Sequence, residues 1–222
     1  MKILFQGDSI TDAFRKPEEI NPAFQLGNGY VFLIAARLGR DHPKRGWEFL
    51  NRGVSGDCVK RLEARWQDDA VALNPDVLSL LNGINDTIRK FSGKESECLS
   101  DEVFASTYRR LLSSLQEKNS QIHFVLMEPF LLEVGKVTGQ WREHLAPRQR
   151  MVREIAGEFN AIFIPLQKLF DEAAEQRSPE FWLVDGIHAT HAGFQLIADA
   201  WMSKAHPLFF DFQPKTKTFL NE

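Results

Sequence analysis

Five short apolar runs, residues 2–6, 47–50, 77–81, 122–127 and 161–165, recur along the chain, and the stretches between them carry mostly helical spacing. Runs of four to six residues are too short for buried helices and have the length of strands. Consecutive strands joined through helices lie parallel, because a parallel pair needs a crossover and a helix supplies it. The alternation therefore predicts a single domain over residues 1–222, an α/β fold built on one parallel sheet with helices on both faces.

The intervening stretches fix the helices. Val31, Ile34, Ala35 and Leu38 recur at helical intervals until Gly39 and Pro43 stop them. Leu62, Trp66 and Ala70 share one face of a helix predicted over 59–73, and further helices are predicted over 101–118, 141–159, 166–174 and 192–205. Residues 12–29, with Pro17, Asn21, Pro22, Gly27 and Gly29, read as a loop over the active face, and residues 87–99 as a polar excursion.

Composition narrows the function classes. With 43% apolar and 11% aromatic residues, 222 residues can bury a sizeable core. A balance of 27 basic against 30 acidic residues, net charge -3, offers no basic footprint for nucleic acid. No apolar run approaches the ~18 residues of a membrane span, and the strand-like N-terminus carries no apolar leader, so a cytoplasmic location without membrane contact is expected. Cys58 and Cys98 are spaced neither as a disulfide framework nor as a zinc site and are expected to be plain thiols.

Three strand ends carry small polar clusters: Gly7-Asp8-Ser9, Gly53-Val54-Ser55-Gly56-Asp57 and Gly83-Ile84-Asn85-Asp86. In a parallel sheet these ends share one edge, where ligands bind in open α/β folds. Each cluster alone reads as a turn, since Asp, Ser and Asn bond their own backbone there. Serine acyl transfer, however, needs a nucleophile, a base, a carboxylate orienting the base, and donors for the oxyanion. Asp185 and His188, three residues apart around Gly186, supply the pair that Ser9 lacks. A competing reading sets Asp8, Asp12 and Asp86 around Mg²⁺ for phosphoryl transfer, but no phosphate-cradling glycine loop with its lysine is present and Asp185 and His188 would stand idle. Another is a non-catalytic carbohydrate-binding protein using Trp141 or Trp182 as stacking platforms, although aromatic residues more often fill cores.

The blocks Gly7-Asp8-Ser9-Ile10-Thr11, Asn51-Arg52-Gly53-Val54-Ser55-Gly56, Gly83-Ile84-Asn85-Asp86 and Asp185-Gly186-Ile187-His188, in this order, resemble those of the SGNH, or GDSL-type, serine hydrolases. The resemblance implies a flavodoxin-like three-layer α/β/α sandwich with a central five-stranded parallel sheet. It implies Ser9 as nucleophile, His188 as base and Asp185 as its partner, with an oxyanion hole formed by the Ser9 and Gly56 amides and the Asn85 side chain. It calls for no cofactor and no metal. Gly-Asp-Ser-Ile-Thr-Asp, Leu-Gly-Asn-Gly-Tyr, Ala-Arg-Trp and Met-Glu-Pro-Phe look most like the branch containing intracellular acetylxylan and acetyl-oligosaccharide esterases. The implied substrate is thus a small-molecule or oligosaccharide ester, with a short-chain carboxylesterase, lysophospholipase or thioesterase as the alternative within the family; a homo-oligomer is left open. Two departures stand out: Ala189 follows His188 where many relatives have Pro, and Phe194 follows Gly193 where many have His. His191 is a second imidazole nearby, but only His188 has the block's spacing from Asp185. Thr11 breaks the Gly-x-Ser-x-Gly elbow of ordinary α/β-hydrolases.

Overall fold

Every side chain of Val77–Leu81 (β3) is buried, as a strand covered on both faces requires. In the computed structural model, which describes residues 1–94 and 99–209, this strand is the centre of a five-stranded sheet. Lys2–Gly7 (β1) and Glu48–Asn51 (β2) lie to one side of β3, His123–Met127 (β4) and Ile162–Ile164 (β5) to the other, in the order β2-β1-β3-β4-β5. Every pairing is parallel, with Leu4 opposite Leu78 and Leu78 opposite Phe124. The order is that of the flavodoxin-like fold, with its switch point between β1 and β3.

Successive strand residues divide between two cores, because side chains alternate across a sheet. Ile3, Phe5, Val77, Val125 and Met127 pack with residues of Tyr30–Asp41 (α3), Leu166–Gln176 (α8) and His191–Ala205 (α10). Leu4, Leu78, Leu80, Phe124 and Leu126 pack with Val59–Trp66 (α4), Asp101–Lys118 (α6) and the C-terminal half of Gly139–Glu158 (α7). Trp201 of α10 is fully buried and its indole donates to Ser79 Oγ at 3.0 Å, so the one polar side chain on β3 is satisfied. Burying a side chain of this size contributes on the order of 2–3 kcal/mol.

The main departure from the sequence reading lies in residues 87–99. Ile84–Phe91 is a helix (α5), not part of a polar excursion, with Ile84, Asn85, Asp86, Thr87 and Arg89 buried. The helix predicted over 59–73 is α-helical only to Trp66 and continues as a π-helical turn, Gln67–Val71. The predicted loop 12–29 holds two single turns, the end of Ser9–Asp12 (α1) and Pro22–Gln25 (α2), and Pro179–Trp182 (α9) is another. Cys58 is a buried free thiol, and Cys98 lies outside the described residues.

Candidate active site

Gly7 ends β1, and the Asp8 side chain then caps α1: its Oδ1 accepts from Ile10 N at 3.1 Å. Such a cap is worth about 1 kcal/mol and fixes the turn on which Ser9 stands first, where a helical turn leaves its amides unpaired by intrahelical bonds. Ser9 Oγ lies 3.0 Å from His188 Nε2, and His188 Nδ1 lies 2.7 Å from Asp185 Oδ2. With a carboxylate on Nδ1, the proton belongs there, and Nε2 is left to accept from the serine hydroxyl.

Asp185 and His188 share one loop ahead of α10. Asp185 Oδ1 accepts from the amides of Ile187 at 3.0 Å and His188 at 2.8 Å, which folds the carboxylate back onto the ring that follows it. Burial raises the proton affinity of Asp185, but these amides and the imidazole outweigh it and hold the carboxyl below its ordinary range. The loop turns at Gly186, whose φ is +88° and where a Cβ would stand 2.4 Å from the Leu132 carbonyl oxygen, so no other residue fits. His191 opens α10, which Thr190 Oγ1 caps by accepting from Gly193 N at 3.2 Å. It is His188 whose ring meets both Ser9 and Asp185.

The two other blocks meet beside this line of bonds. Gly56 takes φ +82° with open space where a Cβ would be. Asn85, 6% exposed, stands in the first turn of α5 and donates to the Asp57 carbonyl at 3.0 Å, as does Asn82. Two arginines that the sequence reading did not single out as site residues fasten the region. Arg89, one turn after Asn85 and 7% exposed, donates to the carbonyls of Gly56 at 2.8 Å and Asn85 at 3.4 Å. Arg65, of the Ala-Arg-Trp stretch, clamps Asp57 at 2.7 Å and Asp69 at 3.0 Å. The i, i+4 spacing of Asn85 and Arg89 was the available signal, but it has meaning only once 84–91 is seen as a helix.

A cavity of about 290 Å³ opens at Ser9. Ile10, Ala13, Phe14, Ala189 and Phe194 supply its apolar wall, with Asp12 and Ser55 beside them. Ala13 and Phe14 take φ of +43° and +60°, left-handed conformations that non-glycine residues visit rarely, and Phe14 is 85% exposed. Of the predicted 12–29 loop, Asp12, Ala13 and Phe14 line the cavity. Trp141 stacks on Phe91 at 4.9 Å and Trp182 packs edge-on against Phe181; neither lines the cavity. Nor do the three aspartates of the cation reading converge. Asp8 caps α1, Asp12 faces Arg15 at 3.6 Å, and Asp86 accepts from Leu99 N at 3.4 Å. Among the described residues no group of three or more His, Cys, Asp or Glu side chains is arranged to hold a metal ion, and no helix is long and apolar enough to cross a membrane.

The model of the GDSL-like lipase/acylhydrolase family matches residues 5–196, and the chain belongs to that family. It is a carboxylic ester hydrolase. An acetylxylan esterase of Geobacillus stearothermophilus is 35% identical over 205 residues, covering 90% of this chain and 92% of that one. The crystal structure of Axe2, an acetylxylan esterase from Geobacillus stearothermophilus that is 32% identical to this chain, superimposes with a TM-score of 0.82 over 91% of this chain and 92% of its own. A putative GDSL-like lipase from Parabacteroides merdae is 35% identical with a TM-score of 0.86, covering 91% and 94% of the two chains. An α/β hydrolase from the metagenome of Lake Arreo is 29% identical with a TM-score of 0.82, covering 91% and 93%.

Proposed function

We propose that the protein is a serine esterase that removes short acyl groups, foremost acetyl, from carbohydrate esters such as acetylated xylo-oligosaccharides. The observation that carries this reading is the hydrogen-bonded line Ser9–His188–Asp185 opening onto a small apolar cavity. Ser9 Oγ attacks the ester carbonyl carbon while His188 Nε2 takes its proton, and Asp185 stabilises the imidazolium so formed. The oxyanion is met by the amides of Ser9 and Gly56 and by the Asn85 side chain, whose amide also donates to the Asp57 carbonyl. The C–O bond to the alcohol then breaks as His188 returns the proton to the leaving oxygen. Water, deprotonated by the same imidazole, attacks the acyl-enzyme and releases the acid and Ser9.

The donor role of Asn85 has a kinetic signature. Asn85→Ala should lower kcat by about 10²–10³ with little change in KM, because the bond it deletes strengthens only as charge develops. A variant with normal kcat and a raised KM would assign Asn85 to ground-state binding instead.

Two features support the substrate class. The cavity is at the low end of small-molecule sites, suited to a short acyl group, while the His188 and Asp185 side chains are about half exposed, leaving the alcohol side open to a bulky leaving group. The family relationship to an acetylxylan esterase points the same way. Each methylene that the cavity rejects changes discrimination by about 1–3 kcal/mol. Across p-nitrophenyl acetate, butyrate and octanoate, kcat/KM should therefore fall steeply beyond butyrate, and acetylated xylose and xylobiose should release acetate. A preference for octanoate, or no acetate from any acetylated sugar, would contradict this substrate class while leaving the serine mechanism intact.

A further inference from the structure

We propose that Phe194 sets the acyl length limit of the enzyme: its ring, pressed against Gly29, occupies the part of the cavity that a longer acyl chain would need. The inference rests on the esterase reading above and adds to it the residue that keeps the cavity short.

Phe194 stands in the first turn of α10, and its backbone is held firmly. Thr190 caps the turn, and the Phe194 amide donates to the Thr190 carbonyl at 2.8 Å. Leu183 and Ala189 form an antiparallel bridge, and Thr190 N donates to the Trp182 carbonyl at 2.9 Å. A Cβ at Gly193 would stand 2.3 Å from that same carbonyl oxygen, so the turn lies directly against the segment that precedes it. The Phe194 ring itself meets the start of α3. A Cβ at Gly29 would lie 3.0 Å from Phe194 Cε1 and 2.6 Å from Ala13 Cβ. Gly29 has a φ of -104°, extended backbone that any residue adopts, so the ring and Ala13 are what exclude a side chain there.

The lining of the cavity has a packed part and an open part. Ile10, Ala13 and Ala189 are buried and Phe194 is packed against the core, whereas Phe14 is exposed. Where the ring meets Gly29, its neighbours Gly29 and Ala13 carry at most a methyl group, as does Ala189 of the same cavity. None of these can fill the space that loss of the ring would leave. A packed site relaxes only partly around a deleted side chain, and an apolar void takes up an apolar guest. The void would adjoin the cavity at Ser9, where the acyl group is bound.

The test is Phe194→Ala, with kcat/KM measured on p-nitrophenyl acetate, butyrate and hexanoate. The ratio of hexanoate to acetate should rise about tenfold to two-hundredfold over the parent's, the range that a single methylene commands in an apolar pocket. Phe14→Ala, on the exposed part of the same lining, should raise it much less. If Phe194→Ala does not fold, Phe194→Leu, which keeps a smaller apolar side chain against Gly29, is read by the same series, with a smaller rise expected. An acyl order that matches the parent's, or an equal rise from Phe14→Ala, would overturn the inference. So would a change confined to the alcohol, in which p-nitrophenyl and ethyl acetate diverge while the acyl order holds. Reaction with a fluorophosphonate keeps the two claims apart: an unchanged acyl order in a variant still labelled at Ser9 overturns this inference alone, whereas no label on Ser9 in the parent overturns the reading on which it rests.

Discussion

Replacing Ser9 with Ala should lower kcat by about 10⁴–10⁶ and leave the fold intact. The loss is large because, in the proposed mechanism, the nucleophile, base and carboxylate act as a unit: without Oγ no acyl-enzyme would form, and His188 and Asp185 would have nothing to activate. The fold should survive because the α1 turn is held by its neighbours. The Asp8 carboxyl caps it, the Thr11 hydroxyl meets Tyr30 at 2.9 Å, and Asn51 donates to the Thr11 carbonyl at 2.7 Å. Removing one hydroxyl hydrogen bond costs only about 1 kcal/mol of stability. Thermal unfolding beside turnover on p-nitrophenyl acetate separates the two effects; a collapsed midpoint would make the activity loss uninformative, and near-normal turnover would remove Ser9 from the mechanism.

His188→Ala and His191→Ala should differ by orders of magnitude. The first deletes the proposed base, and a loss comparable to that of Ser9→Ala is expected. The second removes a ring at the start of α10, where Thr190 supplies the cap, and turnover should stay within a few-fold of normal. Asp185→Asn should cost about 10⁴ in kcat with KM little changed, because an amide facing Nδ1 no longer fixes the proton there. This variant is informative because its damage is confined: Asn retains an oxygen for the Ile187 and His188 amides that hold the loop. Equal losses for His188→Ala and His191→Ala would undo the assignment of the base.

Much of this architecture is legible without coordinates, for reasons that can be located. Residues 77–81 have no polar face to hide, so a fully buried strand reads directly as an apolar run, and the strand ends place Ser9, Gly56 and Asn85 on one edge by topology alone. The α5 helix was illegible because its face toward the site is polar: Asn85, Asp86 and Arg89 are buried, and they obscure the i, i+4, i+7 spacing of Ile84, Ile88 and Phe91. Arg65 and Arg89 were not seen as site residues because their partners, Asp57 and Gly56, lie 8 and 33 positions away in the chain and meet them only after the sheet edge has assembled.

The central claim is that Ser9 forms the acyl-enzyme, and the most direct measurement is peptide mapping by mass spectrometry after reaction with a fluorophosphonate ester, with Ser9→Ala treated in parallel. A single adduct on the peptide carrying Gly7-Asp8-Ser9, assigned to Ser9 and absent from Ser9→Ala, is the predicted result. An adduct on any other residue, or one that persists in Ser9→Ala, would contradict it.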